Sequence, residues 1–203
     1  MVAAASVGAQ TKRAWVIERQ FAPANWLSGR AIDLAFHRIV ENAYRLVWTA
    51  EVKWWRDSGA ANAANRRRDL VADFIRAASV YPDVESGAFV TLLATEDLWA
   101  STLPSGRTAA KPLRDCLFVG QSATTYGQWT MKDMATNVSA VKIAIWKLNG
   151  DIQIPNIFHT ELAAVSRLTA GGGRPILHAL DWRVRKPQRS RFLDQAEIDA
   201  IVA

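Results

Sequence analysis

Along some stretches of the chain apolar and polar positions alternate, and along others they recur at helical spacing. These two periods divide the sequence into predicted strands and helices. Ala14–Ile17 is a short apolar stretch, and the segment Ala24–Glu41 carries Ile32, Leu34, Ala35, Phe36, Ile39 and Val40. That spacing predicts a helix from about Trp26 to near Val40. From Leu46 to Trp55 the period is two. Leu46, Trp48, Ala50, Val52 and Trp54 form one set, Val47, Thr49, Glu51, Lys53 and Trp55 the other, and the β-branched and aromatic content suits a strand. Asn42–Arg45 is compatible with either a hairpin turn or a continued helix.

Asp57–Asn65, rich in Gly, Ala and Asn, is a connection. Leu70, Val71, Phe74, Ile75 and Ala78 then predict an amphipathic helix over Arg66–Val80, with Asn65 as its N-cap and Arg66, Arg67 and Arg68 in the first turn. After Pro82–Gly87 the apolar run Ala88–Ala94 predicts a buried strand. Further on, Leu113–Val119 reads as a strand and Tyr126–Asp133 as irregular. Val141–Leu148 and Asp151–Ile154, joined by Asn149-Gly150, carry the signal of a hairpin. Asn156 is placed to cap a helix running to about Leu168, which Gly171–Gly173 ends. Ile176–Val184 reads as a strand and Leu193–Val202 as a closing helix. The fold class expected is α+β (or α/β), a mixed central sheet flanked by helices.

Composition narrows this picture without assigning a function. In 203 residues that are 50% hydrophobic and 22% charged there is apolar material for one sizeable core, which excludes a disordered, collagen-like or disulfide-stapled chain. Residues 1–12 read as a loose tail and 13–203 as a single domain. The 25 Lys and Arg against 19 Asp and Glu give a formal charge of +6, so polyanions are plausible partners. One cysteine, Cys116, allows neither an intrachain disulfide nor a multi-cysteine zinc site and points to a reducing, cytoplasmic setting. No run of eighteen apolar residues suggests a membrane span.

The chemistry concentrates at Glu51. On a strand, Glu51 and Lys53 project from one face, whereas on a helix they would lie about 200° apart. Metal-assisted phosphodiester hydrolysis needs carboxylates to hold the ion and a cation to orient water or offset developing charge. At Thr49-Ala50-Glu51-Val52-Lys53-Trp54-Trp55, followed by the Arg66–Val80 helix and the Ala88–Ala94 strand, the sequence resembles the PD-(D/E)XK nuclease superfamily. The resemblance covers roughly Asp33 to Ala94. It implies a restriction-endonuclease-like core over 13–100 with a C-terminal β-hairpin and helix elaboration over 101–203, and Mg²⁺-dependent cleavage of nucleic acid. It also implies metal binding by Glu51 and an upstream acid, with Lys53 orienting water. Two residues compete for the upstream place: Glu41, ten positions before Glu51, and Asp33, eighteen before and inside the expected helix. The plain alternative is an ion pair on the wet face of the sheet, with Leu46, Trp48, Val52 and Trp54 in the core.

Two basic clusters are candidates for phosphate contact: Arg66, Arg67 and Arg68, and the run Arg183, Arg185, Lys186, Arg189 and Arg191. Nine Trp residues are scattered along the chain, which suits core or interface anchors better than a stacking platform. His37, His159 and His178 are too dispersed to define a metal set. Besides a nuclease, the sequence therefore admits a non-catalytic nucleic-acid- or protein-binding module, or a Trp-rich subunit of a homo-oligomer or larger assembly.

Overall fold

The alternating stretch around Glu51 lies at the middle of one large sheet. A computed structural model of the protein describes residues 3–5, 15–21, 31–55, 63–79, 87–98, 126–131, 142, 144, 153–168 and 177–203. The elements are β1 (Ala3–Ala5), β2 (Trp15–Phe21), β3 (Ile32–Val40), β4 (Ala43–Trp54), α1 (Ala63–Ser79), β5 (Gly87–Thr95), β6 (Tyr126–Thr130), β7 (Ile157–Leu168), β8 (Leu177–Arg185) and α2 (Gln195–Val202). Among the described residues the strands form one eight-stranded sheet in the order β1-β2-β3-β4-β5-β8-β7-β6. Among these described strands only β4 and β5 pair in parallel, joined through α1, and the other neighbouring pairs are antiparallel. The class is thus α+β with a mixed sheet, and strand outweighs helix.

Helix α1 packs on one face of the sheet. Leu70, Val71, Phe74, Ile75 and Ala78 are buried against Val90 and Leu92 of β5, Leu180 and Trp182 of β8, and Phe158 and Leu162 of β7. Phe74 meets Trp182 edge-on, with ring centroids 5.5 Å apart. Burial of each such side chain contributes about 1.5–3 kcal/mol, so this cluster is the main source of cohesion between helix and sheet. Strand β8 pairs directly with β5, so the two halves of the chain contribute strands to the same sheet and core. The opposite face carries an aromatic row. Phe36 stacks on Trp48 at 4.6 Å and Phe89 meets Trp48 edge-on at 5.9 Å. That reverses the plain alternative for Glu51 and Thr49, which lie on the covered face, and for Val52 and Trp54, which are exposed, while Leu46 packs against the core as that alternative has it.

Several expected elements differ. The expected helix over Trp26–Val40 is, in its described part, strand β3. Both faces of this strand are apolar, with Leu34 and Phe36 on one and Ala35 on the other, and two apolar faces superimposed imitate helical spacing. The chain reverses at Glu41-Asn42, both at positive φ (51° and 65°), with Val40 opposite Ala43. This is the geometry of a two-residue I′ hairpin, which Asn favours and Glu does not signal. The expected helix after Asn156 is strand β7. Phe158, Thr160 and Leu162 alternate inward, but a register shift between Leu162 and Ala164 moves Val165 and Leu168 into an apparent three-residue spacing.

Tyr126–Thr130, expected to be irregular, pairs with β7 as β6. Its Trp129 stacks on Phe158 and donates Nε1–H to Thr160 Oγ1 at 2.8 Å. Lys142 and Ala144 have helical backbone rather than the expected strand. The Asn149-Gly150 turn and the 113–119 strand lie outside the described residues. At the C-terminus α2 opens on a capping box: Asp194 accepts from the Glu197 amide, and the Glu197 side chain accepts from the Asp194 amide. Gly87, with φ of 101°, starts β5, and a Cβ there would come within 3.1 Å of the Val184 carbonyl oxygen. No helix among the described residues is long and apolar enough to cross a membrane.

Candidate active site

Strand β4 presents Thr49, Glu51 and Lys53 toward α1, as the two-residue period requires, while a register shift against β3 at Val47 turns Leu46 to that same face. The antiparallel course of α1 over β4 then sets Arg76 above Glu51 and Asp73 above Lys53. Arg76 Nη2 is 2.6 Å from Glu51 Oε1. Arg76 Nη1 donates to Asp73 Oδ1 at 3.0 Å, across one helical turn, and Lys53 Nζ is 3.1 Å from Asp73 Oδ2. Four charges of alternating sign thus run Glu51–Arg76–Asp73–Lys53. The first three are almost sealed from solvent, while Lys53 remains 31% exposed at the rim. The Glu51–Arg76 approach is a charge contact without hydrogen-bond angles, in contrast to the aligned Arg76–Asp73 bond.

Burial is the largest influence on Glu51 and raises its pKa above the usual carboxylate range. Arg76 and Lys53 oppose that shift, while Asp73 and Asp33 add to it. Burial also works against the charge on Lys53, but Asp73 and Glu51 outweigh it and hold the ammonium above its ordinary pKa. Lys53 is therefore a fixed cation beside a carboxyl whose charge is opposed by burial and favoured by Arg76 and by Lys53 itself.

The sequence candidates separate in space. Asp33 lies on β3, one step beyond the paired positions Leu34 and Ala50, and that register places it beside Glu51 on the face toward α1. Its Oδ2 accepts from the Val52 amide at 2.7 Å, so the carboxylate takes over where backbone pairing stops. Glu41 is excluded as the upstream acid. It sits exposed at the tip of the β3–β4 hairpin, roughly 25 Å along the strand from Glu51 at about 3.3 Å per residue.

The basic clusters do not converge on the site as a set. Helix α1 starts at Ala63, so Asn65 is its third residue rather than its cap, and Arg66–Arg68 fall across the first two turns. They lie about 8–10 Å along the axis from Asp73, at 1.5 Å per residue. Arg68 pairs with Asp69 at 3.0 Å. The C-terminal run leads elsewhere. Arg183 projects on the opposite face of the sheet, over Gly87. Beyond it Arg185 pairs with Glu161, Lys186 lies 4.0 Å from the Phe192 ring centre, and Arg191 grips Glu197 of the capping box. Arg189 lies near His159, whose pKa is lowered first by burial and then by that charge.

The residues that sequence reasoning did not assign to the site are Asp73 and Arg76. The available signal was a charged i, i+3 pair among Ala72, Phe74, Ile75 and Ala77, all buried, which calls for partners on the facing strand. Among the described residues no three His, Cys, Asp or Glu side chains form a group placed to hold a metal ion. Comparison with protein-family models, with curated proteins and with solved structures gives no match.

Proposed function

We propose that the protein hydrolyses phosphodiester bonds of nucleic acid at a PD-(D/E)XK-like site formed by Asp33, Glu51 and Lys53. The observation that carries this reading is the shared face: two carboxylates from adjacent antiparallel strands and a lysine two residues beyond one of them, all turned toward the crossover helix. The strand–helix–parallel strand order of β4, α1 and β5 agrees with the order that the resemblance implies.

Two carboxylates suffice for Mg²⁺, which keeps several waters and is commonly held by one or two acids plus substrate phosphate. Asp33 and Glu51 would hold the ion. When bound, it supplies Lewis-acid polarisation of a phosphoryl oxygen and a more acidic water. Lys53, charged and at the rim, would orient the attacking water and offset negative charge building on the phosphoryl oxygens. Arg66, Arg67 and Arg68 would steady the nucleic-acid backbone along α1 without reading its sequence.

Incubation of the protein with single- and double-stranded DNA and RNA, with Mg²⁺ or Mn²⁺, tests the proposal. Cleavage by the wild type that is lost in Asp33→Asn, Glu51→Gln and Lys53→Met supports it. Cleavage that survives all three substitutions removes the site from consideration.

A second reading, a non-catalytic nucleic-acid-binding module, is favoured by one observation. Both Glu51 and Lys53 already have partners on α1, in a network that needs no ligand to be neutralised. It calls for salt-sensitive polyanion binding without hydrolysis under either metal.

A further inference from the structure

Arg76 has three acceptors within reach, and they are not equivalent. Its Nη1 makes an aligned bond to Asp73 Oδ1 at 3.0 Å, and its Nη2 reaches the Ala31 carbonyl oxygen at 3.4 Å. The contact with Glu51 Oε1 is the shortest, at 2.6 Å, but lacks hydrogen-bond alignment. Asp73 in turn divides its oxygens, Oδ1 to Arg76 and Oδ2 to Lys53. If Glu51 is taken away from Arg76, the guanidinium therefore keeps two partners and Lys53 keeps its own.

On the footing of the metal-site reading above, we propose that Arg76 is the resident counter-cation of Glu51, and that a divalent ion gains Glu51 by displacing the guanidinium onto Asp73 and the Ala31 carbonyl. The two cations compete because both need the same carboxylate oxygens, and Glu51 and Arg76 are almost sealed from bulk solvent. Like charges brought that close in a sealed site repel strongly. Charge balance points the same way. With Glu51 ionised, Asp33, Glu51 and Asp73 set three negative charges against the two positive charges of Lys53 and Arg76, and a divalent ion carries the site to an excess of one positive charge. A substrate phosphate then restores neutrality, so Arg76 keeps affinity for the bare ion low and leaves the site ready for the ion together with a phosphodiester. Arg76 is in this sense a positioning residue.

The test is binding of Mn²⁺ alone, read by electron paramagnetic resonance of the free ion, to the wild type, Arg76→Gln and Glu51→Gln. Removal of the competitor is expected to tighten binding in Arg76→Gln by roughly tenfold, within the usual range for coupled sites, and Glu51→Gln is expected to abolish it. A folded Arg76→Gln with wild-type affinity overturns the competition while leaving the metal site standing. Absence of Mn²⁺ binding in every form, the wild type included, overturns the metal reading and this proposal with it. Should Arg76→Gln not fold, the wild type decides by NMR of its arginine side chains. The Arg76 Nε–H signal is expected to move on saturation with Mg²⁺ and to stay fixed in Glu51→Gln. An unmoved signal in Mg²⁺-saturated wild type contradicts the displacement.

Discussion

Arg76 and Glu51 approach to 2.6 Å between α1 and β4, with side chains 5% and 4% exposed. This contact joins the crossover helix to the strand that precedes it, at the point where the sequence placed its chemistry. A buried charge pair contributes little net stability, because desolvation offsets the attraction, but removal of one member leaves the other uncompensated.

Arg76→Met is accordingly expected to cost about 3–5 kcal/mol, since Glu51 and Asp73 both lose their buried cation. Urea denaturation monitored by Trp fluorescence measures this. Combining it with Glu51→Gln should lose less than the sum of the two single changes, by about 1 kcal/mol or more for residues in direct contact. Simple additivity would show that the contact carries no coupling.

Asp73→Asn is expected to lower the pKa of Lys53. The Asp73 carboxylate is the foremost influence holding that ammonium above its ordinary value, and the substitution leaves burial opposed by Glu51 alone. NMR titration of the Lys53 side chain reads the shift directly. An unchanged value would mean that Asp73 does not neutralise Lys53.

Asp33→Asn weakens the bond donated by the Val52 amide, because the acceptor oxygen no longer carries a charge. The expected loss is about 1–2 kcal/mol, with faster exchange of the Val52 amide proton. Destabilisation without faster exchange would place the role of Asp33 elsewhere.

Legibility from sequence followed the local period. Around Glu51 the two faces of β4 differ in polarity, so alternation located the strand and the Glu51/Lys53 pair, and the α1 and β5 patterns gave the strand–helix–strand order, whose parallel pairing the structure adds. Asp33 was assigned to a helix because β3 is apolar on both faces, and β7 because its register shift breaks the alternation. The Glu41-Asn42 reversal carries no glycine and so gives a weak turn signal. The partners of Glu51 and Lys53 were hidden for a different reason. Asp73 and Arg76 approach them only because α1 runs back over β4, a relation between segments that single-segment periodicity does not contain. Likewise, the basic run from Arg183 to Arg191 is continuous in sequence, but in the fold its members divide between the far face of β8 and local pairs with Glu161 and Glu197.

Glu197 gives the clearest dependence on pH. Hydrogen bonds from Arg191, and then from the Asp194 amide, depress its pKa to about 2. A depressed carboxylate favours the folded state fully above its ordinary value near 4.5 and loses that contribution as pH falls through about 2. Helix α2 is therefore expected to loosen over this acid range. In Arg191→Ala the midpoint of Glu197, followed by NMR of its side-chain carboxyl carbon, should rise toward the ordinary value. A midpoint that stays near 2 without Arg191 would contradict the assignment.

The most direct measurement is the single-turnover cleavage rate of Glu51→Gln beside the wild type on a labelled nucleic acid with saturating Mn²⁺, folding being checked by Tm. Glutamine preserves the shape of the side chain and removes the charge that would hold the ion. A fall of at least about 100-fold in a folded variant is the expected result, the scale on which loss of a charge-stabilising group acts in catalysis. A wild-type rate in Glu51→Gln would contradict a nuclease site at Asp33, Glu51 and Lys53.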